Sequence, residues 1–209
     1  MKNKNKKILI FGDNHGLINN IEKIKSLEKP DITIHTGDFN NWNGEPNNYD
    51  INYLENNFDY YVFGNHNIEG KTVKNFENVD KYREYMVNIN HIEYFLKKDI
   101  KLFKINNFNF LLMHSFNFDE NLITHYGRIK YSFEFDKEKW YKEISNIVKE
   151  HNIDYIISGH THVPEIIKFE TCQVLNPGSI EFPFQENKKP SYIIMEINDK
   201  EVKINKKFI

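Results

Sequence analysis

The chain has 209 residues, a formal net charge of −2 and one cysteine, and these quantities exclude several classes of protein. The length suits a single domain with a substantial buried core, which we predict over residues 1–209. The charge gives no broad basic field, so nucleic acid is disfavoured as a partner. A lone Cys172 allows no internal disulfide and favours a reducing compartment.

The hydrophobic runs are too short for a membrane or export signal. No run approaches the roughly 18 apolar residues that a transmembrane helix needs. The apolar stretch at residues 8–11 is also shorter than the roughly 7–15 residues of a signal-peptide core. We therefore expect a cytoplasmic protein without membrane contact, with Cys172 as a core residue.

Strand-like and helix-like segments alternate along the chain. Residues 7–11, 31–36 and 59–63 predict early strands, and 101–105 with 108–113 predict a hairpin. Later strands are predicted at 155–158, 173–175, 191–197 and 201–205. Two amphipathic helices are predicted near 17–27 and 137–151, with apolar stripes of Leu17, Ile21, Ile24 and Leu27 and of Trp140, Ile144, Ile147 and Val148. Early βα units followed by hairpins indicate an α/β fold with mixed sheets.

Five strand ends carry side chains that ligate metals. They are Gly12-Asp13-Asn14-His15-Gly16, Thr36-Gly37-Asp38, Phe63-Gly64-Asn65-His66, Met113-His114 and Gly159-His160-Thr161-His162. Each motif alone is weak evidence for a metal site, because an Asp at a strand end is more often a cap and a lone His is more often structural. Together they are informative, because strand ends in an open α/β sheet line one crevice. The combination predicts a metal-dependent hydrolase.

In this order the five motifs resemble those of the calcineurin-like metallophosphoesterase superfamily. The turn Asn176-Pro177-Gly178-Ser179 is similar to one in its small bacterial and archaeal phosphodiesterase members. The resemblance implies two mixed β-sheets packed as a sandwich and flanked by helices, a four-layer αββα fold. It also implies a site with two metal ions bridged by Asp38. The implied ligands are Asp13, His15, Asp38 and His162 for one ion, and Asp38, Asn65, His114 and His160 for the other.

Mixed imidazole and carboxylate ligands suit Mn, Fe, Ni or Zn better than Mg or Ca. We expect two such divalent ions, with manganese favoured. Two ions about 3.5–4 Å apart lower the pKa of a shared water and clamp an in-line displacement. The expected reaction is therefore hydrolysis of a phosphate ester through a bridging hydroxide.

The resemblance implies a catalytic role for His66, which would face the substrate, stabilise phosphoryl oxygens and protonate the leaving group. Two positions depart from relatives. Many members have an acidic residue where Asn67 stands, and the phosphoprotein phosphatases have a carboxylate at the position of Asn41. Without such a partner, His66 beside two cations can be neutral at pH 7 and still donate a hydrogen bond.

The leading hypothesis is a phosphodiesterase that acts on a small organic phosphate. A phosphomonoesterase using the same site is the first alternative. The second is a protein–protein scaffold, since the fold also occurs in a retromer subunit that has lost ligating histidines. This chain keeps four of them, which favours an enzyme. His35, His91, His125 and His151 are interpreted as structural, residues 125–131 as either a substrate lid or a solvated loop, and 75–95 as helical cover.

Overall fold

The computed structural model describes residues 5–39, 51–64, 100–116 and 137–209, which form two five-stranded sheets and three helices. The strands are β1 (Lys6–Phe11), β2 (Ile32–His35), β3 (Tyr60–Tyr61), β4 (Ile100–Ile105), β5 (Phe108–Met113), β6 (Tyr155–Ile157), β7 (Pro164–Phe169), β8 (Cys172–Pro177), β9 (Ser191–Ile197) and β10 (Val202–Phe208). The helices are α1 (Asn19–Glu28), α2 (Ile51–Asn57) and α3 (Lys137–His151).

Both sheets are mixed. The first has the order β10-β9-β1-β2-β3, with β1 parallel to β2 and antiparallel to β9. The second has the order β4-β5-β6-β8-β7, and its three central strands run parallel. Parallel strands end at the same edge of a sheet, so each sheet gathers several strand ends at one place.

The alternation of side chains along β1 shows how the layers form. Ile8 and Ile10 pack into the core between the two sheets, whereas Leu9 and Phe11 pack against the helices on the outer face. On the other side, α3 covers the second sheet through Trp140, which is fully buried. The layers are therefore helix, sheet, sheet and helix, and the predicted αββα fold is confirmed.

The predicted stripe of α3 is confirmed, but that of α1 is only half right. Ile21 and Ile24 are buried, whereas Leu17 is 47% and Leu27 69% exposed. The helix begins at Asn19, so Leu17 precedes it. Its buried face ends at Glu28. This carboxylate can be buried because it accepts hydrogen bonds from Lys and Tyr side chains.

The sequence patterns missed α2 and β7. In β7, Ile166 and Ile167 are consecutive and partly exposed, so the strand shows no clean alternation. Among the described strands, β7 lies at the edge of its sheet and pairs with β8. Cys172 is buried, as predicted. Within the described ranges, no helix has the length and apolar character needed to cross a membrane. The predicted segments at 75–95 and 125–131, with His91 and His125, lie outside the described residues.

Candidate metal centre

The centre lies where strand ends of the two sheets meet. In the first sheet, the loops after β1 and β2 pair through their backbones: Asp13 N–H donates to the Gly37 carbonyl at 3.0 Å, and His15 N–H to the Asp38 carbonyl at 3.1 Å. In the second sheet, Gly159 N–H donates to the His114 carbonyl at 2.8 Å, which joins the ends of β5 and β6.

Hydrogen bonds also cross between the two sheets, and two of them involve predicted ligands. The backbone N–H of His160 donates to the Asp13 carboxylate, at 3.1 Å from Oδ1 and 3.2 Å from Oδ2. From the opposite direction, His114 Nδ1 donates to the Thr36 carbonyl at 2.7 Å. The sandwich therefore positions the donors of both sheets around one space.

The structure brings six of the sequence-predicted metal ligands together in two groups. Each group offers ligand atoms that all lie within 4.8 Å of one another, and Asp38 belongs to both. The first group is Asp13, His15, Asp38 and His162, and the second is Asp38, His114 and His160. All of these side chains are buried except His160, which is partly exposed. Asn65, predicted for the second group, and His66 lie outside the described residues.

Hydrogen bonds at Nδ1 turn two of the imidazoles toward the carboxylates. A carbonyl oxygen only accepts, so the Nδ1 atoms of His114 and His162 carry protons that they donate to Thr36 and Phe182. Their Nε2 atoms face inward: that of His114 is 3.3 Å from Asp38 Oδ2, and that of His162 is 3.5 Å from Asp13 Oδ1. This arrangement is typical of metal-ligating histidines.

The backbone of the centre is strained. Among the described residues, ten that are not glycine have positive φ, and five of these belong to the two groups. The five are Asp13 (52°), His15 (43°), Asp38 (55°), His160 (72°) and His162 (57°). Each such conformation costs about 1–3 kcal/mol and persists only when its surroundings enforce it. Concentrated strain of this kind supports a functional role for the centre.

Two glycines allow the strand ends to approach so closely. Gly37 has φ +107°, and a Cβ there would lie 2.6 Å from His114 Nδ1. A Cβ on Gly64 would collide with the Asp38 carboxylate. Glycine at 37 therefore permits both the positive φ and the close approach of His114, and glycine at 64 leaves room for the Asp38 carboxylate.

Burial and like charge shape the protonation of the centre. Burial raises the pKa of Asp13 to about 8; His114 acts against this rise, and Asp38 adds to it. Burial alone would lower the pKa of His114, but the Asp38 carboxylate beside it raises that pKa to about 9. Metal ligation requires deprotonated groups, so binding a cation here releases protons.

The donor set fits divalent first-row metals. Both groups combine carboxylate with imidazole, which suits these ions better than Mg or Ca. In the first group, the Nε2 atoms of His15 and His162 lie 3.2 Å apart, so two ring nitrogens converge beside two carboxylates. At this distance the two rings share a hydrogen bond, which a metal ion held by both nitrogens would replace.

His35 has a larger part in this centre than its sequence pattern indicated. Its fully buried ring accepts a hydrogen bond from Gly37 N–H at Nδ1 (3.1 Å) and donates from Nε2 to Asn14 Oδ1 (2.9 Å). Burial, with a smaller effect of His114, lowers its pKa to about 3, so the ring is neutral. It joins the loops after β1 and β2. Its position directly before Thr36-Gly37-Asp38 was the signal that could have found it.

The family comparison agrees with this geometry. Residues 7–200 match the model of the calcineurin-like phosphoesterase superfamily domain. The chain belongs to this superfamily. It is 23% identical over 192 residues to a probable metallophosphoesterase of Mycoplasma pneumoniae, covering 92% of this chain and 90% of that protein.

Solved structures share the fold. A predicted phosphoesterase of Streptococcus pneumoniae superposes with a TM-score of 0.59 at 18% identity, covering 98% of this chain and 90% of that one. An archaeal phosphodiesterase superposes with a TM-score of 0.51 at 20% identity, covering 96% of this chain and 99% of that one. The vacuolar protein sorting 29 (Vps29) protein of Cryptosporidium parvum superposes with a TM-score of 0.53 at 15% identity, covering 98% of each chain. The chain is a metallophosphoesterase by family, and at these identities the structures establish only the fold.

Proposed function

We propose that the protein is a phosphodiesterase for a small organic phosphate, and that it works with two divalent metal ions. The observation that carries the proposal is the pair of donor groups that share the Asp38 carboxylate. Asp13, His15 and His162 would complete one metal site, and His114, His160 and Asn65 the other. Two such ions supply Lewis-acid charge for phosphoryl oxygens and lower the pKa of a bound water.

The protein's own residues orient these donors. The Thr36 carbonyl holds Nδ1 of His114, so Nε2 is directed to the centre, and the Phe182 carbonyl does the same for His162. The backbone N–H of His160 holds the Asp13 carboxylate across the two sheets. Such preorganised donors need little rearrangement when a metal and a phosphate bind.

His66 is proposed as the residue that hydrogen bonds the phosphoryl oxygens and protonates the leaving group. Replacing His66 with Ala should lower turnover by about 10²–10⁴-fold, the range of general acid–base catalysis. Metal content should stay at the wild-type value, measured by plasma mass spectrometry. His151→Ala, at the exposed end of α3, is the control. Loss of metal from His66→Ala would instead make His66 a ligand.

The preference for diesters is supported by the archaeal phosphodiesterase that shares the fold and by the Asn-Pro-Gly-Ser turn of this chain. The test compares kcat/KM for bis(p-nitrophenyl) phosphate and p-nitrophenyl phosphate with added Mn²⁺, Ni²⁺, Fe²⁺ or Zn²⁺. We expect the diester to be the better substrate and Mn²⁺ the best activator. Turnover of the monoester alone would replace the proposal with a phosphomonoesterase.

A scaffold role is the second candidate, because Vps29 has the same fold. The same purified protein tests it. Absence of both bound metal and turnover, with either ester and all four ions, would reject the enzyme and favour the scaffold. Retention of carboxylate and imidazole donors in both groups argues against that outcome.

A further inference from the structure

The turn after β8 lies beside the metal centre and has no role in the proposed reaction. Since β8 runs parallel to β6, with Leu175 opposite Ile157, both strands end at the same edge of the second sheet. The β6 end continues to His160 and His162, and the β8 end continues to Ser179. Ser179 is fully buried.

The Ser179 hydroxyl links the two sheets at this edge. It donates to the backbone carbonyl of Asp13 at 2.7 Å. It also accepts hydrogen bonds from the N–H groups of Phe182 at 2.7 Å and Glu181 at 3.2 Å. One hydroxyl group therefore fixes the backbone of a proposed ligand on one side and the start of the segment 181–184 on the other.

That segment in turn fixes His162. The Phe182 carbonyl accepts the proton of His162 Nδ1 at 2.7 Å. The ring of Phe184 stacks on the imidazole, with centroids 4.5 Å apart and planes 19° from parallel. The ring of Phe182 meets His15 edge-on at 5.6 Å. The segment thus sets both the tautomer and the orientation of His162, whose Nε2 is directed to His15 and Asp13.

The second donor group is positioned by other contacts. His114 is held by the Thr36 carbonyl, and the backbone N–H of His160 donates to the Asp13 carboxylate, which places His160 one contact further from Ser179 than Asp13 is. The Ser179 hydroxyl contacts Asp13, Glu181 and Phe182. The network is therefore asymmetric between the two groups.

We infer that Ser179 is a positioning residue for one of the two metal sites, the site formed by Asp13, His15, Asp38 and His162. This inference rests on the proposed two-metal function. Loss of the hydroxyl frees Phe182 N–H and the Asp13 carbonyl together, so His162 and Asp13 lose their shared anchor. The ion in this site should bind more weakly, and the ion held by His114 and His160 should not.

The test is calorimetric titration of metal-stripped protein with Mn²⁺, together with metal content by plasma mass spectrometry. In Ser179→Ala, one of the two dissociation constants should rise by about 10–100-fold, the usual cost of losing an outer partner of a metal ligand. The other should keep its wild-type value. Turnover should return toward wild type when Mn²⁺ is raised, because the catalytic groups themselves are intact.

Ser191→Ala is the matched control. Its hydroxyl is also fully buried and also donates to a backbone carbonyl at 2.7 Å, but the acceptor is Pro177 in the same turn. It should lower the melting temperature without changing either dissociation constant. Ser179→Cys has a side chain of similar size that forms weaker hydrogen bonds. If the alanine variant fails to fold, the two dissociation constants are measured in this variant instead.

The outcomes separate the two proposals. If wild type binds two Mn²⁺ and the Ser179 variants bind both as tightly, Ser179 only supports the fold and the inference is overturned. An equal rise in both dissociation constants would also overturn it, because Ser179 would then not act selectively on one site. If wild type itself binds fewer than two ions, the proposed function fails first, and the inference fails with it.

Discussion

Among the described residues, buried carboxylates occur in two regions, and their surroundings differ in kind. Glu28, at the end of α1, accepts hydrogen bonds from Lys7 Nζ at 2.6 Å, Lys207 Nζ at 2.7 Å and the Tyr192 hydroxyl at 2.8 Å. Burial alone would raise the pKa of Glu28, but Lys207, Lys7 and Tyr192 lower it to about 2. The chain itself provides the cations for this charge.

At the metal centre the pKa shift has the opposite sign. Burial raises the pKa of Asp13 to about 8, and Asp38 adds to the rise. The described partners of these carboxylates include the imidazole rings of His114 and His162, a side-chain type that can also ligate a metal. One fold thus compensates a buried carboxylate with its own ammonium groups at Glu28, whereas Asp13 and Asp38 lie beside imidazoles in groups that could hold a metal ion.

The largest expected effect is that of Asp38→Asn. The shared carboxylate loses its charge, so both metals should bind more weakly, by more than the ~100-fold upper range for outer partners. Activity at fixed Mn²⁺ should be lost. Asp154→Asn is the control, since Asp154 accepts the Asn109 N–H at 2.8 Å before β6, away from the centre. Full occupancy of both sites in Asp38→Asn, by mass spectrometry, would contradict the bridging role.

Metal itself should stabilise the fold. An ion that binds only the folded protein adds about 2.7 kcal/mol to the free energy of unfolding when its concentration is about 100 times its dissociation constant. The measurement is urea unfolding with Mn²⁺ and with a chelator. Glu28→Gln should show the same gain as wild type, and Asp38→Asn little or none. An equal gain in Asp38→Asn would locate the stabilising ion elsewhere.

Glu28→Gln should have a smaller effect. The amide keeps a hydrogen bond to Tyr192 but loses the charge that Lys7 and Lys207 face, and both ammonium groups are partly exposed. We expect a loss of about 1.5 kcal/mol in the free energy of unfolding, the lower end for hydrogen bonds to charged groups. Metal affinity and activity should stay unchanged. A change in either would couple the two regions.

The dependence of the free energy of unfolding on acid pH should change in the same variant. The pKa of Glu28 is lower in the folded protein than its ordinary value of 4.5, so its contribution is complete above about pH 4.5 and is lost as pH falls toward 2. Urea unfolding across this window should give a shallower pH dependence in Glu28→Gln than in wild type. Identical slopes would remove Glu28 as the cause.

Much of the fold could be read from residue patterns. The hydrophobic strands and the stripe of α3 predicted the layers correctly, because alternation and helical spacing are local properties. The predicted burial of Leu17 and Leu27 was wrong. Leu17 precedes α1, and the buried face of the helix continues to Glu28, whose partners include residues more than 160 positions away in the sequence. The single domain over residues 1–209, the cytoplasmic location and the role of His66 stay predictions.

Residue types and their order along the chain were enough to predict the chemistry of the centre, because carboxylate and imidazole groups stand at successive strand ends in the order typical of the family. The folded structure was needed to show which donors lie together, which ring nitrogen faces inward, and that His35 and Ser179 support the loops. His15 and His162 are 147 residues apart, yet their Nε2 atoms lie 3.2 Å from each other. Such contacts depend on how two sheets pack and where their strands end, which local patterns do not encode.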